Sequence, residues 1–349
     1  MEKAQSAVPA IVRYVPGFAL AIVIAAVAKF LEGLLPIHLI GASVIALFIG
    51  MAVNHFHKPG ELIKPGVTFT SKKVLKFAIV LLGASLSIGT ILHVGKLSLT
   101  VMLFTLLTCF GGGFFIGKAL GLNWKLSNLI SAGTGICGGS AIAAIAPVID
   151  AEDKDIAYAI SATFLFDMVM IVLFPIMGRA LGLTDMAYGL WAGTAVNDTS
   201  SVVAAGYAFS EAAGDFATMV KLTRTLSIIP TVIVFAFVNV HLKRKAAMAE
   251  GGGADIKASF SIMKIFPWFI IFFVLMALVN STGIIPPWLS GGLKDLSKFL
   301  MIAALAAIGL NTDFTEMKKS GIMPMVHGFI ISLLVVVVAI AVEYFIGLV

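Results

Sequence analysis

Residues 155–180 read DIAYAISATFLFDMVMIVLFPIMGRA. Between Asp155 and Arg179 the single charge is Asp167, near the centre of the run. About twenty apolar residues in α-helix span the ~30 Å hydrocarbon core of a bilayer, so this stretch predicts a transmembrane helix. The same signal repeats outward from it. Apolar runs fall near 11–31, 37–54, 74–93, 97–118, 126–149, 186–209, 215–240, 262–281, 296–313 and 322–347. With 155–180 they make about eleven spans, and the expected fold is an all-α polytopic membrane protein forming one integral-membrane domain over residues 1–349.

Composition agrees. The chain is 60% hydrophobic and 12% charged, whereas soluble domains run at roughly 45–50% and about 25%. Most of the surface must therefore face hydrocarbon. The net charge of +6 resides in short loops between apolar runs, which makes it a topology signal and not a nucleic-acid footprint. Cys109 and Cys137 both lie inside apolar runs, without disulfide or metal-ligand spacing. The first run follows Lys3 and Arg13 with no small-residue cleavage pattern after it, so it is expected to be retained as a helix.

With the N-terminus inside, Lys and Arg collect in the loops on one side, as the positive-inside bias requires. That sorting places Lys118, Lys125, Arg179, Lys243, Arg244 and Lys245 inside, and Glu152, Asp153, Lys154 and Asp155 outside. It predicts a multi-pass protein of the bacterial inner (plasma) membrane, N-terminus cytoplasmic and C-terminus outside. The basic, Gly-rich stretch 241–260 (HLKRKAAMAEGGGADIKASF) reads as a cytoplasmic linker between eight helices and three. Residues 75–92 and 297–314 align on Phe77 and Phe299, sharing Lys76/Lys298, Ala84/Ala306 and Thr90/Thr312. The weak match points to an inverted repeat, a common feature of secondary transporters.

Three places break the rules for a membrane helix. The first is Gly133-Thr134-Gly135-Ile136-Cys137-Gly138-Gly139-Ser140. Glycines cost about 1 kcal/mol each relative to alanine within a helix, and four in seven residues favour a break near the midplane. A second half-helix starting near Gly139 would aim free N–H groups and a positive dipole end at an interior cavity, suiting an anion. Gly135, Cys137, Gly138, Gly139 and Ser140 are therefore candidate substrate-binding residues. The bland reading is a close-packing glycine face. For Cys137, a small packing residue is the simpler reading than a nucleophile.

The second is Gly193-Thr194-Ala195-Val196-Asn197-Asp198-Thr199-Ser200-Ser201. An Asp at a helix centre costs roughly 2.5–3.5 kcal/mol on insertion scales. The apolar pieces on either side are each too short to cross alone, so a discontinuous helix or a re-entrant hairpin fits better than a plain loop. Thr194, Asn197, Thr199 and Ser200 are candidate substrate ligands, and Asn197 and Asp198 are candidates for sodium or proton coupling. The third is a set of single charges within spans. Asp167 is a further coupling candidate, weighed against a structural hydrogen bond. Lys221 and Arg224 share one helix face at i, i+3. Snorkelling explains Lys221, and the deeper Arg224 is a candidate substrate ligand.

Nothing in the sequence calls for a cofactor or a metal: the six histidines show no HExxH or paired spacing, and no phosphate-binding GxxxxGK[ST] occurs. An enzyme would need a nucleophile–base pair or metal cluster at membrane depth, and none is visible. A channel is the other remote reading.

Taken in order, GTGICGGSAIAAIAPVIDA (133–151), KDIAYAISATFLFDMVMIVLFP (154–175), GLWAGTAVNDTSSVVAAG (189–206), LTRTLSIIP (222–230) and AAIGLNTDF (306–314) resemble the sulfate-exporter family of conserved bacterial membrane proteins (YeiH-type). The resemblance covers nearly the whole chain, and GICGGSAIAA and AVNDTSSVVAAG are its specific segments. That family is similar to the larger group of bile-acid/sodium symporters and sodium/proton antiporters. The resemblance implies crossed discontinuous helices, inverted repeats, elevator-type movement of a core against a scaffold, and a homodimer. The function it implies is secondary active export of a small inorganic anion such as sulfate, coupled to sodium or protons; a coupled transporter of an organic anion is the alternative. One conflict remains within this reading. Runs 126–149 and 186–209 are an even number of crossings apart and so parallel, whereas an inverted pair must be antiparallel.

Overall fold

The computed structural model describes residues 12–34, 41–249, 267–312 and 321–349. These residues are helical with no strand among them. In chain order the helices are α1 (Val15–Leu34), α2 (Ala42–Phe56), α3 (64–83), α4 (Ile88–Ala119), α5 (124–137), α6 (Gly139–Ile145) and α7 (Asp153–Ala180). They continue as α8 (Asp185–Ala195), α9 (Thr199–Phe209), α10 (Glu211–Thr225), α11 (Ile228–Ala249), α12 (Trp268–Ser281), α13 (Pro287–Leu310) and α14 (Ile322–Phe345). Several begin where a short polar side chain satisfies an orphan N–H of the first turn. Asn123, Thr184 and Ser210 accept from the N–H groups of Leu126, Ala187 and Ala213. α10 and α11 form one kinked rod, because the Pro230 ring lacks an N–H and crowds the carbonyl of Leu226.

Two of the expected spans do not cross. Lys125 Nζ donates to the Asp150 carbonyl at 2.6 Å, and Asn123 Nδ2 to the Asp155 carboxylate at 3.2 Å. The start of α5 therefore lies beside the end of α6 and the start of α7. Between those ends Gly133 faces Ile142, so closely that a Cβ on it would stand 2.8 Å from Ile142 Cδ1. α5 and α6 are the antiparallel arms of a hairpin folded at Gly138, whose φ of +65° and ψ of −136° only glycine adopts readily.

The second hairpin follows the same logic. Ser210 Oγ donates to Asp185 Oδ1, Tyr188 OH donates to the Ala205 carbonyl at 2.9 Å, and the Tyr188 and Phe209 rings stack at 3.9 Å. α8 and α9 thus fold back on each other at Val196-Asn197-Asp198. α7 connects the two hairpin bases: it starts beside Asn123, and near its end Arg179 donates to the carbonyls of Ala208 and Phe209. The hairpins therefore enter from opposite faces and meet tip to tip inside the bundle.

The expectation of eleven spans is corrected accordingly. Among the described residues two of the eleven expected runs are re-entrant, and α1, α4, α7, the α10–α11 rod and α14 are long and apolar enough to cross a membrane. Hydropathy could not separate the cases, since each hairpin carries as many apolar residues as a crossing helix. The parity survives. The start of α1 and the end of α11 share one face, called here the N-terminal face, and the end of α14 lies on the other. The loops flanking α7 exchange faces relative to the sequence reading: Lys243 pairs with Asp150 at 2.6 Å, which puts 150–155 on the N-terminal face, and Arg179 lies on the opposite one. The parallel-run conflict disappears, because neither run crosses. The expected 241–260 linker overlaps a helix at its start. Residues 241–249 continue α11, and 250–260 lie outside the described residues. Residues 75–92 do not form one helix matching 297–314, being broken at 84–87 between α3 and α4.

The segments sort into two packed groups. α1, α2, α3, α12 and α13 form a frame. Gly50 of α2 meets Gly309 of α13 at backbone distance, and Ser297 Oγ of α13 donates to the Ala78 carbonyl of α3 at 2.6 Å. α4, the two hairpins, α7, α10–α11 and α14 form the second group. On the face away from the N-terminus the groups are joined by Lys294 and Lys298 of α13, which pair with Glu211 and Asp215 of α10. On that face the groups also meet where the Ile88 N–H of α4 donates to Ser281 Oγ of α12 at 2.8 Å, and where Gly41 lies at backbone distance from Ala208 of α9. Toward the N-terminal face they separate around a cavity.

Candidate functional site

Where the hairpin tips meet, unwound backbone leaves carbonyl and N–H groups that no helix satisfies. The carbonyl ends of α5 and α8 point at two cations carried one turn apart on α10. Arg224 is 1% exposed. Its Nε donates to the Gly135 carbonyl at 2.6 Å, and its two terminal nitrogens donate to Thr134 and Thr194. A longer contact of 3.4 Å reaches the Val196 carbonyl. Lys221, fully buried, donates to the same Val196 carbonyl at 2.9 Å. One guanidinium thus ties the first tip to the second, and its planar fork suits several fixed acceptors.

The N–H groups are met by carboxylates. Asp167, on α7, accepts from the Asn197 N–H with Oδ1 at 2.9 Å and from the Asp198 N–H with Oδ2 at 2.8 Å. Asp198 caps α9, accepting from the Ser200 N–H at 2.9 Å and from its hydroxyl. The positive end of α9 is therefore occupied by protein carboxylates. At the start of α6 the situation differs. The first N–H groups of a helix have no intrahelical acceptor, and Gly139 and Ser140, in that position, line the cavity. Arg224, Lys221, Asp167 and Asp198 together carry a formal charge of zero.

Among the described residues the cavity, of about 1080 Å³, opens at the N-terminal face between α3, α6 and the end of α13 and closes at the two tips. Cys137, Gly138, Gly139, Ser140, Thr199 and Ser200 form its closed end, with Asp167 and Asp198 beside them. Gly138 is needed there for room as well as for its φ, since a Cβ would stand 2.8 Å from Asp198 Oδ1. The structure brings together most of the residues singled out from sequence, yet four are placed behind the wall. Gly135 and Thr194 contribute carbonyls to Arg224, Asn197 is fully buried, and Arg224 does not reach the cavity. Arg224 and Lys221 are neither substrate-facing nor snorkelling; their donors are taken by the tips.

Sequence reasoning passed over the frame side of the cavity. Lys72 and Lys76 of α3 line it, with Lys76 Nζ 5.4 Å from the centre of the Phe269 ring. Their i, i+4 spacing on one helix face is the available signal. Thr163 and Ser161 of α7 also line it, and nothing in their spacing distinguishes them from ordinary packing residues.

The comparisons with known proteins bear on the whole chain. The family described as conserved hypothetical protein 698 matches residues 16–328. A UPF0324 membrane protein of Clostridium tetani is 56% identical over 338 residues, covering 96% of this chain and 98% of the relative. One from Streptococcus mutans is 38% identical over 340 residues, covering 95% and 97%. Among solved structures, the sodium proton antiporter MjNhaP1 from Methanocaldococcus jannaschii aligns over 95% of this chain and 96% of its own. It does so at 14% identity and a TM-score of 0.28, too low for the likeness to carry over any detail.

Proposed function

This chain belongs to the UPF0324 family of membrane proteins, and from that premise we propose that it is a secondary transporter of a small anion. The observation that carries the reading is the pair of re-entrant hairpins meeting at the closed end of a cavity open to one face. Irregular backbone at membrane depth is tolerated beside a cavity or inside protein, and a site between two opposed tips can be offered to either face in turn. Lys72, Lys76 and the open N–H groups of α6 supply positive potential at the cavity wall. Ser140 and Thr199 supply hydroxyl donors. Asp198 and Asp167 border the same space and are the groups proposed to carry coupling to sodium or protons.

The basic residues Lys118, Lys125, Lys243 and Arg244 near the N-terminal face support a cytoplasmic placement for it in the bacterial inner membrane, with the C-terminus outside. The cavity then loads from the cytoplasm, which favours export. An inside-negative potential of 100 mV drives each negative charge outward with about 2.3 kcal/mol. Movement of the hairpin group against the frame, elevator-fashion, is the mechanism the family resemblance suggests, and it would part the pairs that Lys294 and Lys298 make with Glu211 and Asp215. The resemblance to the sulfate-exporter family supports sulfate as the first substrate to try, and a homodimer as the assembly.

The volume favours a second reading. About 1080 Å³ exceeds what an inorganic oxyanion fills and lies just above the ~300–1,000 Å³ range of small-molecule sites, so an organic anion also fits. Purified protein in liposomes decides between them. Saturable counterflow of labelled sulfate, lost in Asp198→Asn, is the expected result. Counterflow of a dicarboxylate but not of sulfate selects the second reading, and conduction without saturation or counterflow rejects both.

A further inference from the structure

The two walls of the cavity carry opposite charge. On the frame wall Lys72 and Lys76 line the space about one helical turn apart. Neither makes an ion pair or a side-chain hydrogen bond among the described residues. Lys76 Nζ stands 5.4 Å from the centre of the Phe269 ring, a contact that leaves the ammonium free to donate. On the hairpin wall, at the closed end, stand the cavity's two carboxylates, Asp167 and Asp198.

The two acids differ in what they still need. Both oxygens of Asp167 are taken, by the N–H groups of Asn197 and Asp198. Asp198 is only half-buried and uses one oxygen, Oδ2, which accepts from the N–H and hydroxyl of Ser200. Its Oδ1 accepts no hydrogen bond among the described residues. That atom lies at the meeting of the tips, where a Cβ on Gly138 would stand 2.8 Å from it. Lys221 and Arg224 do not serve it, because they donate to main-chain carbonyls behind the wall. A simple anion makes this imbalance worse. Placed at the closed end, it meets like charge where the dielectric is low. Held at the lysines, it leaves Oδ1 without a donor. A single molecule satisfies both walls if it carries an acid group and an ammonium.

We infer that the cavity selects organic acids that also bear an ammonium group, the acid bound by Lys72 and Lys76 and the ammonium by Asp198 Oδ1. Ser140 and Thr199 border the closed end and can accept further N–H bonds from the same ammonium. The ammonium gives Asp198 the positive partner that a coupling sodium ion or proton would have to bring for sulfate. This inference rests on the transport reading for its purpose and narrows its organic-anion branch, but its test reads binding and no flux.

The test compares L-glutamate with glutarate, which has the same chain and both carboxylates but no ammonium, and with glutaramate, which matches glutamate in net charge but also lacks one. Melting of the purified protein is followed at neutral pH and constant ionic strength. Glutamate should raise the melting temperature saturably, with a half-effect concentration at least tenfold below those of the other two. In Asp198→Asn the amide oxygen is needed at the Ser200 N–H, which turns the amide nitrogen to the place of Oδ1, so glutamate should lose its advantage. Replacing Lys72 and Lys76 together by Gln should weaken glutamate at least tenfold. Both lysines are exposed, so this variant and the wild-type comparison remain readable if Asp198→Asn fails to fold. Equal half-effect concentrations for the three acids in the wild type, or no stabilisation by glutamate, overturn the inference. So does an Asp198→Asn protein that keeps the preference, or a double lysine variant that binds glutamate as the wild type does. Stabilisation by glutamate in a protein that moves no solute in liposomes would count against the transport reading alone.

Discussion

Replacing Arg224 by lysine keeps the buried charge and removes the fork that ties the two tips together. The guanidinium donates to Thr134 and Gly135 on the first hairpin and to Thr194 on the second, with Val196 at 3.4 Å. An ammonium on a flexible stem cannot reach both sides, and Lys221 already occupies Val196. Two charge-assisted bonds are lost. At about 1.5–3 kcal/mol each in water-soluble proteins they would total about 3–6 kcal/mol. Hydrogen bonds between membrane helices average about 0.6 and reach about 1.7 kcal/mol, because the opened state finds partners too, which brings the total to about 1–3 kcal/mol. The membrane figure governs here, since parted tips also exchange their carbonyls for cavity water. Taking about 2 kcal/mol, the parted population rises about 30-fold. The Cys137 thiol is 2% exposed at the tip and reports on it. In a Cys109→Ala background, its maleimide labelling rate in membranes should rise by that factor in Arg224→Lys at equal expression. A rate within twofold of the parent would show that Arg224 does not hold the tips.

Single cysteines at positions 152, 181 and 243 in a background lacking the native two test the hairpin topology. Positions 152 and 243 should label from one side of the membrane and 181 from the other, and labelling of 152 and 243 from opposite sides would restore the crossing arrangement. A pH experiment probes the contact that fixes the base of the first hairpin. The hydrogen bond from Lys243, then that from Asn239, holds the Asp150 carboxyl below its ordinary value. A lowered folded value means the stabilisation is present above the usual carboxylate range, about pH 4, and is lost as pH falls through it. The melting difference between wild type and Lys243→Ala should therefore be constant from pH 7 to pH 5, about a unit above that range, and shrink below about pH 4. A difference independent of pH would mean that Asp150 is not its source.

Much of this protein was legible from residues alone, and for a physical reason. Hydrocarbon forbids unpaired backbone and charge, so a run such as 155–180 can only be a helix, and deviations from that rule mark sites. Clustered glycines at 133–139, the polar stretch at 194–200 and the single charge of Asp167 stood out as violations, and the structure places them together. What the sequence could not determine was whether an apolar run crosses or turns back. The stretches 124–149 and 185–209 have the length and hydropathy of spans. Only contacts distant in sequence, Lys125 with Asp150 and Asp185 with Ser210, reveal that each returns to its own face. The roles of Lys221 and Arg224 were equally hidden, since a buried cation facing an anion and one facing main-chain carbonyls look alike in one dimension. The tertiary structure decides, because only it brings the carbonyl ends of two hairpins from opposite faces to the same pair of side chains.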